Sequence, residues 1–278
     1  MVKAVVMHWA GLAGRVRRRF RDDRLGQVAS SLAFTTLLAL VPLITIMLTL
    51  VSAFPVFEEW SLTFKRFLLT TLVPESAGKV ISVYMLQFTS NASRLTAIGL
   101  VVLAVTALSL MMTIEAAFNA IWRVQRSRPL SVRLVTYWAV MTAGPVIVGG
   151  GLSLTGALTG YAVGATRGIP ALAELISDLV PLTLSVLSFA ALYLTVPNRS
   201  VSRSHALVGG LVAGGGFELT RLGFAAYVKL FPTFKLVYGA FSSLPLFLVS
   251  LYLTWWVVLL GAVVAAELGV EARADLAD

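Results

Sequence analysis

The sequence predicts an all-α polytopic membrane protein with about six transmembrane helices and, beside them, interfacial amphipathic helices. Three observations predict it. Hydrophobic residues make up 58% of the 278 residues and charged residues only 13%, about half the charged share of a soluble domain. Mean hydropathy is +0.88. Apolar stretches at 29–54, 95–121, 132–162, 174–196, 206–231 and 243–268 each reach the roughly 20 residues a helix needs to cross the hydrocarbon core. Strict β-barrel alternation is absent from them, which leaves helices as the elements able to satisfy their own backbone in lipid.

Residues 1–28 read as a basic amphipathic segment. At helical spacing Val2, Val5, Trp9, Leu12, Val16 and Phe20 form one apolar stripe, and Arg15, Arg17, Arg18 and Arg19 surround it. That pattern suits a helix lying on an anionic inner leaflet. Nucleic acid is not an expected partner, because it would leave the stripe without one. No cleavable signal peptide is expected, since Val5, Val6 and Trp9 precede the arginines, the reverse of the usual order. The first span is expected to act as its own uncleaved insertion signal.

In the first span Ser31, Thr35, Pro42, Thr45, Thr49 and Ser52 cluster around a common line. Such a stripe faces protein or a wet path, so Thr35, Pro42, Thr45 and Thr49 are candidates for a substrate path, with ordinary interhelical packing as the alternative. Pro42 frees a carbonyl on that face, and Pro145, Pro181 and Pro245 are expected to break three other spans. The outer loop, 55–94, begins with Phe57, Trp60, Phe64, Phe67 and Leu68 on a face opposite Glu59 and Arg66. It either rests on the outer leaflet or caps the spans.

The later spans carry the intramembrane charges. A charge at the bilayer centre costs on the order of 3 kcal/mol on insertion scales and usually has a partner or a purpose. Glu115 and Asn119 share a face of the second span and are candidates for the substrate path, the alternative being that Glu115, near the cytoplasmic end, simply reaches water. In the fifth, Glu218 and Arg221 stand three apart, facing one another, after Gly209, Gly210, Gly214, Gly215 and Gly216. Gly210 and Gly214 form a GxxxG pair for close helix approach, and Gly215 extends it as a packing or hinge residue. The pair is either a polar site beside a hinge or an ion pair that fixes helix register. Residues 40–50 (LVPLITIMLTL) and 179–189 (LVPLTLSVLSF) hint at an internal repeat that the flanking sequence does not extend.

Lys and Arg fall two to one on the side that holds both termini and the loops after the second and fourth spans. This orients those parts, including the tail 271–278, to the cytoplasm. The absence of Cys excludes disulfides and thiol chemistry. No GxxxxGK[ST] loop or HExxH motif is present, and His8 and His205 are the only histidines. Asp22 and Asp23 alone are too little for a two-metal site. No catalytic residues, metal or cofactor are therefore expected, and the chain is not expected to be an enzyme.

Six ordered motifs, SLAFTTLLALVP, TIEAAFNAIWR, YW followed by GP, LYLTVPN, FELTRLGFAAYV and YGAFSSLPLFLVSLYLTWWVVLLGA, resemble the YihY/BrkB family of bacterial inner-membrane proteins over residues 25–270. The resemblance implies six inner-membrane helices with cytoplasmic termini and a link to serum resistance, virulence and envelope integrity. The name ribonuclease BN, once attached to the family, is regarded as mistaken. By position Glu115, Asn119, Glu218 and Arg221 match family polar positions. Val263 stands where similar members carry Glu, and Glu267 lies one turn further on the same face. The expected function is translocation of lipids or small amphiphiles. A non-enzymatic envelope scaffold or assembly factor is the alternative, and a ribonuclease the weakest one. Membrane lipids, an amphiphilic substrate and further copies of the chain are the expected partners.

Overall fold

A computed structural model describes residues 2–52, 97–125, 128–129, 131–133, 135–137, 156, 160, 170–230 and 243–274. Among the described residues there is no strand. The helices are α1 (Val2–Asp22), α2 (Leu25–Ser52), α3 (Ala97–Ile121), α4 (Pro170–Thr195), α5 (Arg203–Leu230) and α6 (Ser243–Ala274). The predicted span 132–162 and the loop 55–94 fall largely or wholly outside the described residues, as do the side chains of Thr45 and Thr49.

One described helix segment, Leu244–Val270 (27 residues, mean hydropathy 2.2), is long and apolar enough to cross a membrane, and Leu25–Leu40, Val105–Ile121 and Leu179–Thr195 are shorter apolar helices. Large apolar side chains point outward from α2, α3, α4 and α5, among them Leu38, Val105, Leu187 and Leu219, which is 72% exposed. Glu115, Asn119 and Arg19 lie inside instead. A water-soluble fold seldom exposes so much apolar surface.

Helix α6 is the hub. It packs most extensively on α5, then on α2 and α1, while α5 also packs on α4 and α2 on α3. Its residues Leu259, Ala262 and Val263 are fully buried, with Leu32, Phe118 and Tyr193 from neighbouring helices. The Tyr193 hydroxyl donates to the Val258 carbonyl (2.8 Å), pinning α4 to α6 across α5's flank.

Glycines let α5 wedge between α4 and α6. A Cβ at Gly210 would stand 2.6 Å from the Val186 carbonyl oxygen, and one at Gly214 2.6 Å from the Val186 side chain. On the other side Gly209 meets the backbone of Gly261 in α6. Gly215 has open space around it and packs against neither helix.

Two sequence expectations change. Leu12 and Val16, read as lying in a lipid leaflet, are buried in the bundle core, and the Phe20 ring lies 4.9 Å from Trp256 of α6. The stripe on α1 therefore serves as an intramolecular docking face over these residues. Prolines also break less than expected. α2 and α4 run unbroken through Pro42 and Pro181, and Pro245 sits in the first turn of α6, where a missing N–H has no helical partner to lose.

Candidate functional site

The best-connected polar group among the described residues lies where α3 ends. α3 positions Glu115 and Asn119 one turn apart, so both side chains leave the same face. Glu115 is 1% exposed. Its carboxylate accepts from Arg133 Nε (3.3 Å), from the Tyr137 hydroxyl and from Asn119 Nδ2 (3.3 Å). Asn119 Oδ1 in turn accepts the Asn198 N–H (2.8 Å), in the turn that follows α4. Arg128 completes the seam, donating to Asn198 Oδ1 (3.3 Å) and to the carbonyls of Thr195 (3.1 Å) and Pro197 (3.2 Å). A buried charge is tolerable only when paired and hydrogen-bonded, and here Arg133, Tyr137 and Asn119 all donate to the carboxylate. This arrangement clamps α3 to the following segment and to the end of α4.

Beside it lies a second cluster. Arg19, 9% exposed, reaches Glu267 of α6 at 2.5 Å, Asp23 at 3.4 Å and the Ile121 carbonyl. Arg15 adds a 3.7 Å contact to Glu267. Val263, where the family resemblance leads one to expect an acid, is wholly buried among apolar neighbours. The carboxylate one turn on, Glu267, is the one that meets α1.

A cavity of about 390 Å³ opens beside Arg19, with Arg123, Arg199 and His205 also in its lining. Arg123 holds φ at 52°, because the chain leaves α3 through a left-handed turn in which Arg123 N–H bonds Ala120 O (3.1 Å) and Val124 N–H bonds Asn119 O (2.8 Å). Glycine usually fills that position. Arg199 donates to the Trp122 carbonyl at 2.8 Å.

The other predicted residues lie elsewhere. Glu218 and Arg221 form a forked ion pair on α5, with Nε to carboxylate distances of 3.1 and 3.2 Å. Their side chains are 31% and 61% exposed, on the face that carries Gly215, Leu211, Leu219 and Leu222. Thr35 donates its hydroxyl to its own helix, at Ser31 O (2.8 Å). Its neighbour Thr36, not singled out in the sequence, accepts from Trp255 Nε1 of α6 (3.0 Å). Pro42 is buried.

Arg19, Glu267, Arg133, Tyr137 and the cavity were not singled out as a site from sequence. One signal was present for Arg19: it follows Leu12 and Val16 at helical spacing and so falls on the docking face. Among the described residues no group of three His, Asp or Glu side chains could hold a metal ion.

Comparison with known proteins agrees with the apolar exterior and interior polar seam. A family model described as "Virulence factor BrkB" matches residues 16–278. A UPF0761 membrane protein of Nitrosospira multiformis is 53% identical over 250 residues, covering 90% of this chain and 59% of the relative. Counterparts in Laribacter hongkongensis and Chromobacterium violaceum are 48% and 49% identical, covering 95% and 93% of this chain and 62% of each relative. The chain thus spans about three fifths of the length of these relatives. No solved structure matches it. The match across almost the whole chain, with relatives at about half identity, makes this a membrane protein of the BrkB (UPF0761) family.

Proposed function

We propose that this chain moves lipids or small amphiphiles within the bacterial inner membrane, as a non-enzymatic protein of six spans with both termini cytoplasmic. The Glu218–Arg221 pair carries the reading. Glu218 lies 15 residues into the 28-residue α5, about 22 Å along an axis of about 42 Å, so an α5 centred on the bilayer would carry it near the middle of a hydrocarbon core of about 30 Å. A forked pair is nearly neutral as a unit yet keeps strong dipoles, which suits shielding a polar head group while its tails stay in lipid. Gly215, one turn before Glu218, leaves room on the same face.

The test is reconstitution into liposomes with labelled lipid or amphiphile. The parent protein should accelerate movement between leaflets, and Gly215→Leu and Thr45→Trp, which place bulk along α5 and α2, should block it while inserting normally. Robust movement by both folded variants would sink this path. No movement by the parent with any such probe would favour an envelope scaffold instead.

A further inference from the structure

We infer that the basic cavity beside α1, α3 and α6 is a binding site for a phosphate group, either the head group of an anionic lipid or a soluble phosphate ester. Arg19, Arg123, Arg199 and His205 line the cavity, and no acidic residue does so among the described residues. Glu267 offsets Arg19 from outside that lining, so the surplus positive charge belongs to Arg123 and Arg199. Arginine forks match phosphate oxygens in pairs.

The backbone adds to this field. Ser200 and Ser202 also line the cavity, and Ser202 directly precedes α5, whose first turn closes through Ala206 N–H to Ser202 O (2.9 Å). The positive end of the α5 dipole therefore lies at the wall, where an anion is favoured. Apolar residues line the cavity as well, among them Trp122, Val201, Ala265 and Ala266. A volume of about 390 Å³ falls at the small end of the roughly 300–1,000 Å³ range of ligand sites, enough for a phosphate-bearing head group but not for whole acyl chains.

Arg123 joins the cavity lining from a left-handed turn. Glycine would occupy its left-handed position without strain, yet an arginine is held there at φ 52° with its side chain on the cavity wall. The proposal does not depend on transport; the orientation proposed above enters only in placing the cavity at the inner leaflet, within reach of lipid head groups.

The experiment compares the parent, Arg123→Gly with Arg199→Gln, and a control, Arg17→Gln with Arg18→Gln, which removes equal charge from exposed positions on α1. Two probes are titrated into purified protein in neutral detergent, with binding counted by native mass spectrometry. They are phosphatidylglycerol and glycerol 3-phosphate, with inorganic phosphate as competitor. The parent should bind one molecule of at least one probe, displaceable by phosphate, and the cavity variant should bind it about tenfold more weakly or worse, while the control stays within about twofold. Binding of the lipid alone identifies a head-group site, and binding of the soluble ester identifies a metabolite site.

Arg123→Gly alone separates binding from folding. It should weaken binding while melting no lower than the parent, since glycine relieves the strained turn. One-to-one binding absent for both probes, or lost equally in the cavity variant and the control, would overturn the site.

Discussion

Glu115 shows how a single carboxylate organises the basic end of the bundle. It is almost fully buried, whereas Arg133 keeps 16% of its side chain exposed, so the two are not equivalent when the pair is broken. Arg133→Met strands an anion in the interior and should cost about 3–5 kcal/mol. Glu115→Gln keeps an oxygen for Tyr137 and Asn119 and leaves a partly solvated cation, so it should cost less. The double variant should cost less than the sum. Denaturant titration in detergent reads all three, and strictly additive losses would mean that the groups do not couple. Half of this cluster was legible beforehand: the four-residue spacing puts Glu115 and Asn119 together. The other half was not, because Arg133, Tyr137 and Asn198 arrive from other parts of the chain, and local periodicity carries no information about which helices meet.

At the scale of elements, small residues decide which faces can close. Gly210 and Gly215 look alike within the glycine run, yet one abuts a carbonyl of α4 and the other opens outward. Gly210→Ala should lose about 1–3 kcal/mol, because a backbone oxygen cannot move aside as a side-chain tip can. Gly215→Ala should be neutral or gain up to about 1 kcal/mol from helix propensity. Thermal unfolding in detergent distinguishes them, and equal effects would show that α4 and α5 do not meet at Gly210. The GxxxG spacing pointed to Gly210 and Gly214, but spacing could not say that Gly215 lies outside the contact, since consecutive residues on a helix differ by about 100° in direction. The α1 stripe was legible as amphipathic, not in its partner: an apolar face docks equally well, on periodicity alone, against lipid or against α6.

For the whole molecule, the proposed orientation has a direct test because the sequence contains no Cys. Ser61→Cys and Ser90→Cys should react with an impermeant thiol reagent from outside intact cells, and Ser127→Cys and Ser202→Cys should react only after the inner membrane is opened. The reverse labelling would invert the topology and place the basic cavity outside. Helical class and apolar content were readable from composition, because lipid constrains a spanning chain so strongly. The hub role of α6 was not, since its sequence is apolar on every side and names no preferred neighbour.

The contact between Arg19 and Glu267 joins residues 248 positions apart. A ribosome adding about 5–20 residues per second takes about 12 to 50 s to make that interval. Throughout it, the docking face of α1 has no α6 to receive it, and Arg19 has the local Asp23 carboxylate but not that of Glu267. The nascent chain therefore carries α1 for that whole interval before the α6 residues that cover it are made. A chain stopped before α6 leaves uncovered the apolar stripe that α6 otherwise buries.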